Sequence, residues 1–216
     1  MKTAKKVEWF RNETWNKKIS EQFLKKLGSA RSQRDRYLVI QALTLVPYEP
    51  KVTLEFVDLY FETCQSEFDH LRAYLARAEA LAALKKYSEM VGAFHQVLDL
   101  EKQKPSQKSN VQFLFPYCVA AGKVHTEYAY ALELLETADN RVFSPILVFK
   151  KAAAKAMILW EQGHGKEAKR FAEIAVRTGK IRRIGLKYRH DVDVIGLVEK
   201  AVLKRLMKIM NNRRFR

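Results

Sequence analysis

Small side chains at helical spacing, returning at a near-constant interval, constrain this chain more than any other feature. A helix–turn–helix unit is legible from Phe68 to Glu101 and again from Phe149 to Gly179. The first runs Tyr74, Ala78, Leu81, then the turn Lys85-Lys86, then Met90, Phe94, Val97 and Leu98. The second runs Ala152, Ala156, Leu159, the turn Gly163-His164-Gly165, then Ala168, Ala172 and Ala175. A small residue in mid-helix lets the partner helix approach closely while larger neighbours fill the grooves beside it. A pair of this kind cannot bury its apolar face alone, so pairs must stack.

The same pattern extends, degenerately, over the rest of the chain. Leu38, Ala42 and Leu45 begin one further unit; Val111, Phe115 and Cys118, a turn at Gly122, then Tyr128, Ala131 and Leu135 make another. The central positions fall at 42, 78, 115 and 156, in steps of 36, 37 and 41. Phe115 is bulky where a small residue is expected, and Pro116 lacks a backbone donor, so a kink or break is predicted there. Trp15, Ile19, Phe23 and Leu27 predict a first helix from Thr14 to Leu27, closed by Gly28 as a C-cap. Residues 14–62 then read as degenerate N-terminal helices, 68–179 as the repeats, and 192–211 as a capping helix, within one domain of residues 1–216. The expectation is an all-α fold of antiparallel helix pairs, about ten helices in number.

The order Tyr74, Ala78, Leu81, Tyr87-x-Glu89, Phe94, Val97 resembles a tetratricopeptide repeat, as does Ala152, Ala156, Leu159 with Glu167-Ala168 and Ala172-x-x-Ala175. The resemblance implies a right-handed superhelix whose concave face is lined by the first helix of each pair. It implies a surface for a partner rather than a reaction. The opening Trp9-Phe10-Arg11-Asn12 and Trp15-Asn16 also resemble the start of a group of uncharacterised bacterial helical-repeat proteins, which lends no function.

The chemistry-bearing residue types point the same way. There is no glycine-rich phosphate loop, no His-Glu-x-x-His and no Cys-x-x-Cys. The five histidines are scattered, and His164 in its glycine turn reads as solvated. His190-Asp191-Val192-Asp193 reads as an N-cap for the last helix in preference to a metal site. Glu133 and Glu136 read as exposed helix surface, and Cys118 as a core thiol. No enzyme, cofactor or metal is expected. Two cysteines far apart fit free thiols in a reducing compartment, and the absence of a long apolar run argues against membrane insertion, so a cytoplasmic protein is expected.

Two surfaces remain as candidates. Projecting the resemblance onto the first helices puts Arg72, Leu75, Glu79 and Ala82 on one inner turn and Lys150, Ala153, Met157, Trp160 and Glu161 on the other. There they would meet an unidentified protein or peptide. Trp160 matters most, since a bare indole exposes about 150–250 Å², worth roughly 4–6 kcal/mol when covered. The bland alternative packs it on the next helix. The second surface is electrostatic. The net charge of +16 sits at the ends: residues 1–36 carry 11 Lys/Arg against 4 acids, residues 177–216 carry 13 against 3, and the middle carries 16 against 17. Lys180, Arg182, Arg183, Lys187, Tyr188 and Arg189, with Arg213, Arg214 and Arg216, interleave cations with aromatics as nucleic-acid-binding segments do.

Overall fold

The computed structural model describes residues 8–138, 144–181 and 200–212. Helices and short 3-10 turns are the only regular elements among those residues, and the fold is all-α. The chain divides into two compact units, residues 1–109 and 110–216.

Unit 1 holds α1 (Lys17–Gly28), α2 (Arg34–Leu45), α3 (Pro50–Thr63), α4 (His70–Ala83) and α5 (Tyr87–Gln103). The first helix starts later than its apolar spacing suggests because Asn16 caps it, its carboxamide oxygen accepting the Ile19 N–H at 3.0 Å. Gly28 is the last helical residue, not a left-handed cap; the left-handed residue is Arg31, at φ 43°. Pro50 occupies the first turn of α3, where its missing N–H costs nothing. Within the unit α2 packs on α3, α3 on α4, α4 on α5, and α2 reaches across to α4.

The aromatics of the opening motif are half-buried and pack against the core. Trp9 meets Phe23 and Tyr37 at ring-centroid distances of 5.5 and 4.9 Å, and Trp15 meets Phe56 at 5.0 Å. Phe10 stacks on Tyr37 at 4.4 Å. Asn12 clips this layer to α2. Its N–H and its Nδ2 both donate to Gln41 Oε1, at 3.0 and 2.9 Å, and Gln41 Nε2 donates back to the Asn12 carbonyl at 2.8 Å. Gln41 is fully buried, so this exchange of bonds is what makes an amide tolerable there.

Unit 2 holds α6 (Val111–Gly122), α7 (Tyr128–Thr137), α8 (Pro145–Glu161), α9 (Gly165–Gly179) and α10 (Lys200–Met210). The break predicted at Pro116 does not occur, and α6 runs through it. Phe113, Leu114, Phe115, Pro116 and Val119 are all buried, and that burial offsets the one backbone bond the ring removes. Helix α8 is central to the unit. It packs on α6, α9 and α10, and every residue from Ala152 to Leu159 is buried. Ala168, Ala172 and Ala175 of α9 are fully buried, as the alanine pattern anticipates. Even Lys155 is buried; its ammonium pairs with Glu136 and lies 5.2 Å from the Phe171 ring centroid. Helix α10 buries Val202, Leu206 and Ile209 against α9 and α8, whereas Met207 is 45% exposed. Residues 192–199 of the expected capping helix lie outside the described residues.

Helices α4, α6 and α8 end alike. One residue turns left-handed: Lys85 at φ 60°, Lys123 at 58°, Gly163 at 86°. The following N–H then reaches back five residues. Lys86 bonds Leu81 at 2.9 Å, Val124 bonds Val119 at 3.0 Å, and His164 bonds Leu159 at 2.9 Å. This closure satisfies carbonyls that the helix end would orphan and reverses the chain into the next helix. At α6 the turn residue is Lys123 and not Gly122, which stays helical.

Candidate partner-binding cleft

The corners that end α6 and α8 bring their last turns side by side in unit 2. The α6 corner projects Lys123, then His125 and Thr126 from a 3-10 turn, then Tyr128 and Ala129 from the start of α7. The α8 end projects Trp160, Glu161 and Gln162, and α10 lays Arg205, Lys208 and Ile209 across them. Together they line an open cleft of about 820 Å³.

Glu161 is its hub. Its side chain is only 17% exposed, and four donors, from the α6 corner, the 3-10 turn, α7 and α10, converge on the carboxylate. Oε2 accepts from Tyr128 Oη at 2.6 Å and sits 2.8 Å from His125 Nε2. Oε1 accepts from Arg205 at 2.5 Å and from Lys123 at 3.2 Å. Arg205 also donates to the Ala120 carbonyl at 2.8 Å, so one guanidinium ties the carboxyl ends of α6 and α8 together. Those ends are the negative poles of their helices, where an added carboxylate is unfavourable and a cation favourable. Burial alone would raise the Glu161 carboxyl. The hydrogen bonds from Tyr128 and His125 and the charges of Arg205 and Lys123 outweigh it and hold the group below the ordinary carboxylate value. Burial, with Glu161 beside it, pushes the Tyr128 hydroxyl well up.

The cleft keeps a surplus of positive charge. Lys123, Arg205 and Lys208 are permanent cations and Glu161 is the single carboxylate among the lining residues, an excess of two. Lys208 is exposed and forms no ion pair among the described residues. Lys123 and His125 are bound to Glu161 yet 61% and 67% exposed.

The residues expected to meet a partner divide three ways. Trp160 and Glu161 line the cleft; Trp160 is half-buried, neither bare nor fully core. Met157 and Ala153 are fully buried and are corrected to core residues: α8 has neighbours on several sides, so its inward face is wider than the repeat pattern implies. Lys150 is half-buried, its ammonium 5.4 Å from the Tyr117 ring centroid. In unit 1, Arg72 is exposed with its guanidinium 3.6 Å from Asp69, and Leu75 and Glu79 are half-buried. None of these three lines the unit 1 groove, an open space of about 650 Å³ that takes Tyr74, Arg77 and Leu81 from α4 instead. Of the basic segments, Lys180 is exposed after α9. Arg182, Arg183, Lys187, Tyr188, Arg189, Arg213, Arg214 and Arg216 lie outside the described residues, as does His190-Asp191-Val192-Asp193.

Glu133 and Glu136 are exposed, and the Lys155 ammonium holds the Glu136 carboxyl below its ordinary value. Cys118, expected in the core, is half-buried, and both cysteines are free thiols. Among the described residues no three of His, Cys, Asp and Glu converge as metal ligands, and no helix is long and apolar enough to cross a membrane.

The residues that sequence reasoning passed over are Lys123, His125, Tyr128 and Arg205. A lysine directly after the glycine of an expected turn, and an arginine amid the Lys200, Lys204, Lys208 stripe, were the available signals. Their convergence on Glu161 is tertiary, across 33 to 44 residues of chain. Comparison with protein-family models, with curated proteins and with solved structures gives no significant match.

Proposed function

We propose that this chain is a non-enzymatic interaction protein that holds a polypeptide partner on a helical-repeat surface, and that the surface is the cleft of unit 2. The observation that carries the reading is the cleft itself: an open recess with an aromatic wall at Trp160 and a ring of donors, built from the ends of three helices. Pockets with one apolar wall and a few fixed polar groups are the usual form of binding sites. The repeat reading supports it. Three corners of one kind, and helices that pack on their neighbours within each unit, are consistent with a tetratricopeptide-like right-handed superhelix. In that reading α6, α8 and α10 are successive first helices and the protein works in the cytoplasm.

Affinity capture from the native cell, with nuclease-treated and untreated halves, tests the proposal. A polypeptide should be retained in both halves by the wild type and lost with Trp160→Ala, at unchanged helical circular dichroism. Material that disappears with nuclease treatment would instead support binding of RNA or DNA through the basic termini. Unfolding of Trp160→Ala would return that residue to the core.

A further inference from the structure

The charge balance and donor count of the cleft carry the reading one step further. A carboxylate offers about four lone-pair sites, and Glu161 has one donor for each: Tyr128, His125, Arg205 and Lys123. The donors themselves are not exhausted. An ammonium carries three N–H groups and a guanidinium five, yet Lys123 spends one contact on Glu161, and Arg205 one there, one on Ala120 and one on the Tyr128 hydroxyl. Lys208 spends none among the described residues. The recess is therefore organised for carboxylates and already holds one of its own.

We infer that the partner segment of this cleft is acidic, its Asp or Glu side chains taking the unspent donors of Lys123, Arg205 and Lys208 beside Glu161, with an apolar or aromatic neighbour against Trp160. This rests on the cleft being a polypeptide-binding surface. Glu161 then has two roles. It orders the cations, which otherwise repel one another, and it competes with the incoming carboxylates for them. Affinity is set below its maximum by a built-in counter-ion, and the exchange is electrostatic and salt-dependent. An acidic polypeptide is favoured over a nucleic acid here because the described cations form one compact cluster around a carboxylate. A phosphate backbone is matched by cations spread along a strand.

The test uses the full chain and a fluorescein-labelled peptide of glutamates flanking one phenylalanine, alongside the same peptide with glutamine for glutamate, labelled oligouridine and oligodeoxythymidine. The Trp160 indole N–H resonance, assigned with Trp160→Phe, locates binding. The acidic peptide should bind at low ionic strength, shift that resonance, and bind about tenfold more tightly than its glutamine counterpart. Lys208→Gln should weaken it by about threefold, an exposed charge contact. Glu161→Gln should tighten it by about threefold, since it removes a competing anion while keeping an acceptor. If Glu161→Gln loses helical signal, Lys208→Gln and Lys123→Gln decide, because both lie at the surface. Equal binding of the two peptides overturns the acidic inference and leaves the polypeptide reading standing. Binding of the oligonucleotides alone overturns both. Failure of the acidic peptide to bind overturns the inference, while the capture experiment still decides the broader reading.

Discussion

The corner after α4 and the corner after α6 have one backbone and two uses. Each places a lysine in the left-handed region, at φ 60° and 58°, where a side chain with a Cβ costs about 1–2 kcal/mol. Lys85 is exposed and forms no ion pair among the described residues, so its strain has no electrostatic return. Lys123 carries the same strain, but its ammonium lies 3.2 Å from Glu161. A glycine immediately precedes Lys123 and is not the residue that turns. At the corner after α8 the turn is made by Gly163, without strain. The difference teaches that the corner geometry belongs to the fold, while the residue placed in it decides whether that corner also serves a site.

The largest effect is expected at Glu161, the carboxylate that the α6 corner reaches through Lys123. Glu161→Ala removes the common acceptor of Tyr128, His125, Arg205 and Lys123. The loss expected in urea unfolding of unit 2 is about 2 kcal/mol, reduced by the partial solvent access of the donors. A loss near zero would mean that water replaces Glu161 at no cost and that the hub does not organise the cleft. The pH dependence has a defined sign. The folded carboxyl lies below its ordinary value, so its contribution is complete above the unfolded pKa of about 4.5 and fades as pH falls through the folded value. The stability gap between wild type and Glu161→Gln should therefore be constant near neutral pH and close in acid. A gap that widens in acid would reverse the assignment.

Local patterns in this chain were readable, and convergences were not. Ala78 and Leu81, and likewise Ala152, Ala156 and Leu159, are buried as their helix period anticipates, because side chains three and four apart share a face, whereas Tyr74 stays half-buried at the unit 1 groove. Ala168, Ala172 and Ala175 follow the same rule. Met157 broke it, because the number of neighbours around α8 is set by where α6 and α10 dock, which no spacing within α8 records. Pro116 broke it in the other direction: a local penalty was overridden by burial. Trp160 and Glu161 were found through the repeat projection. Arg205 and Tyr128 were not, since their shared target becomes visible only once three elements meet.

A smaller effect isolates the backbone term. A Cβ built on Gly163 meets nothing within 4 Å, so Gly163→Ala tests the left-handed conformation without a clash. The expected destabilisation is about 1–2 kcal/mol by thermal or urea unfolding. A neutral result would show that this corner relaxes to another turn, and the identity of the three corners would then be superficial.

The smallest effects bear directly on the two lysines. Lys85→Gly should stabilise the protein by about 1 kcal/mol, because glycine relieves the left-handed strain and no pair is lost. The gain is trimmed by the wider freedom of glycine in the unfolded chain. Lys123→Gly relieves the same strain but deletes a partly exposed ion pair worth about 0.2–1 kcal/mol, so its net gain should fall to roughly half that of Lys85→Gly or vanish. The informative quantity is the difference between the two variants, measured under identical conditions at low and at high salt. Screening weakens only the Lys123–Glu161 term, so added salt should bring the two values together. Two equal gains at low salt would mean that the lysine at the α6 corner contributes no stability through Glu161. Lys123 would then have only an incoming anion to serve.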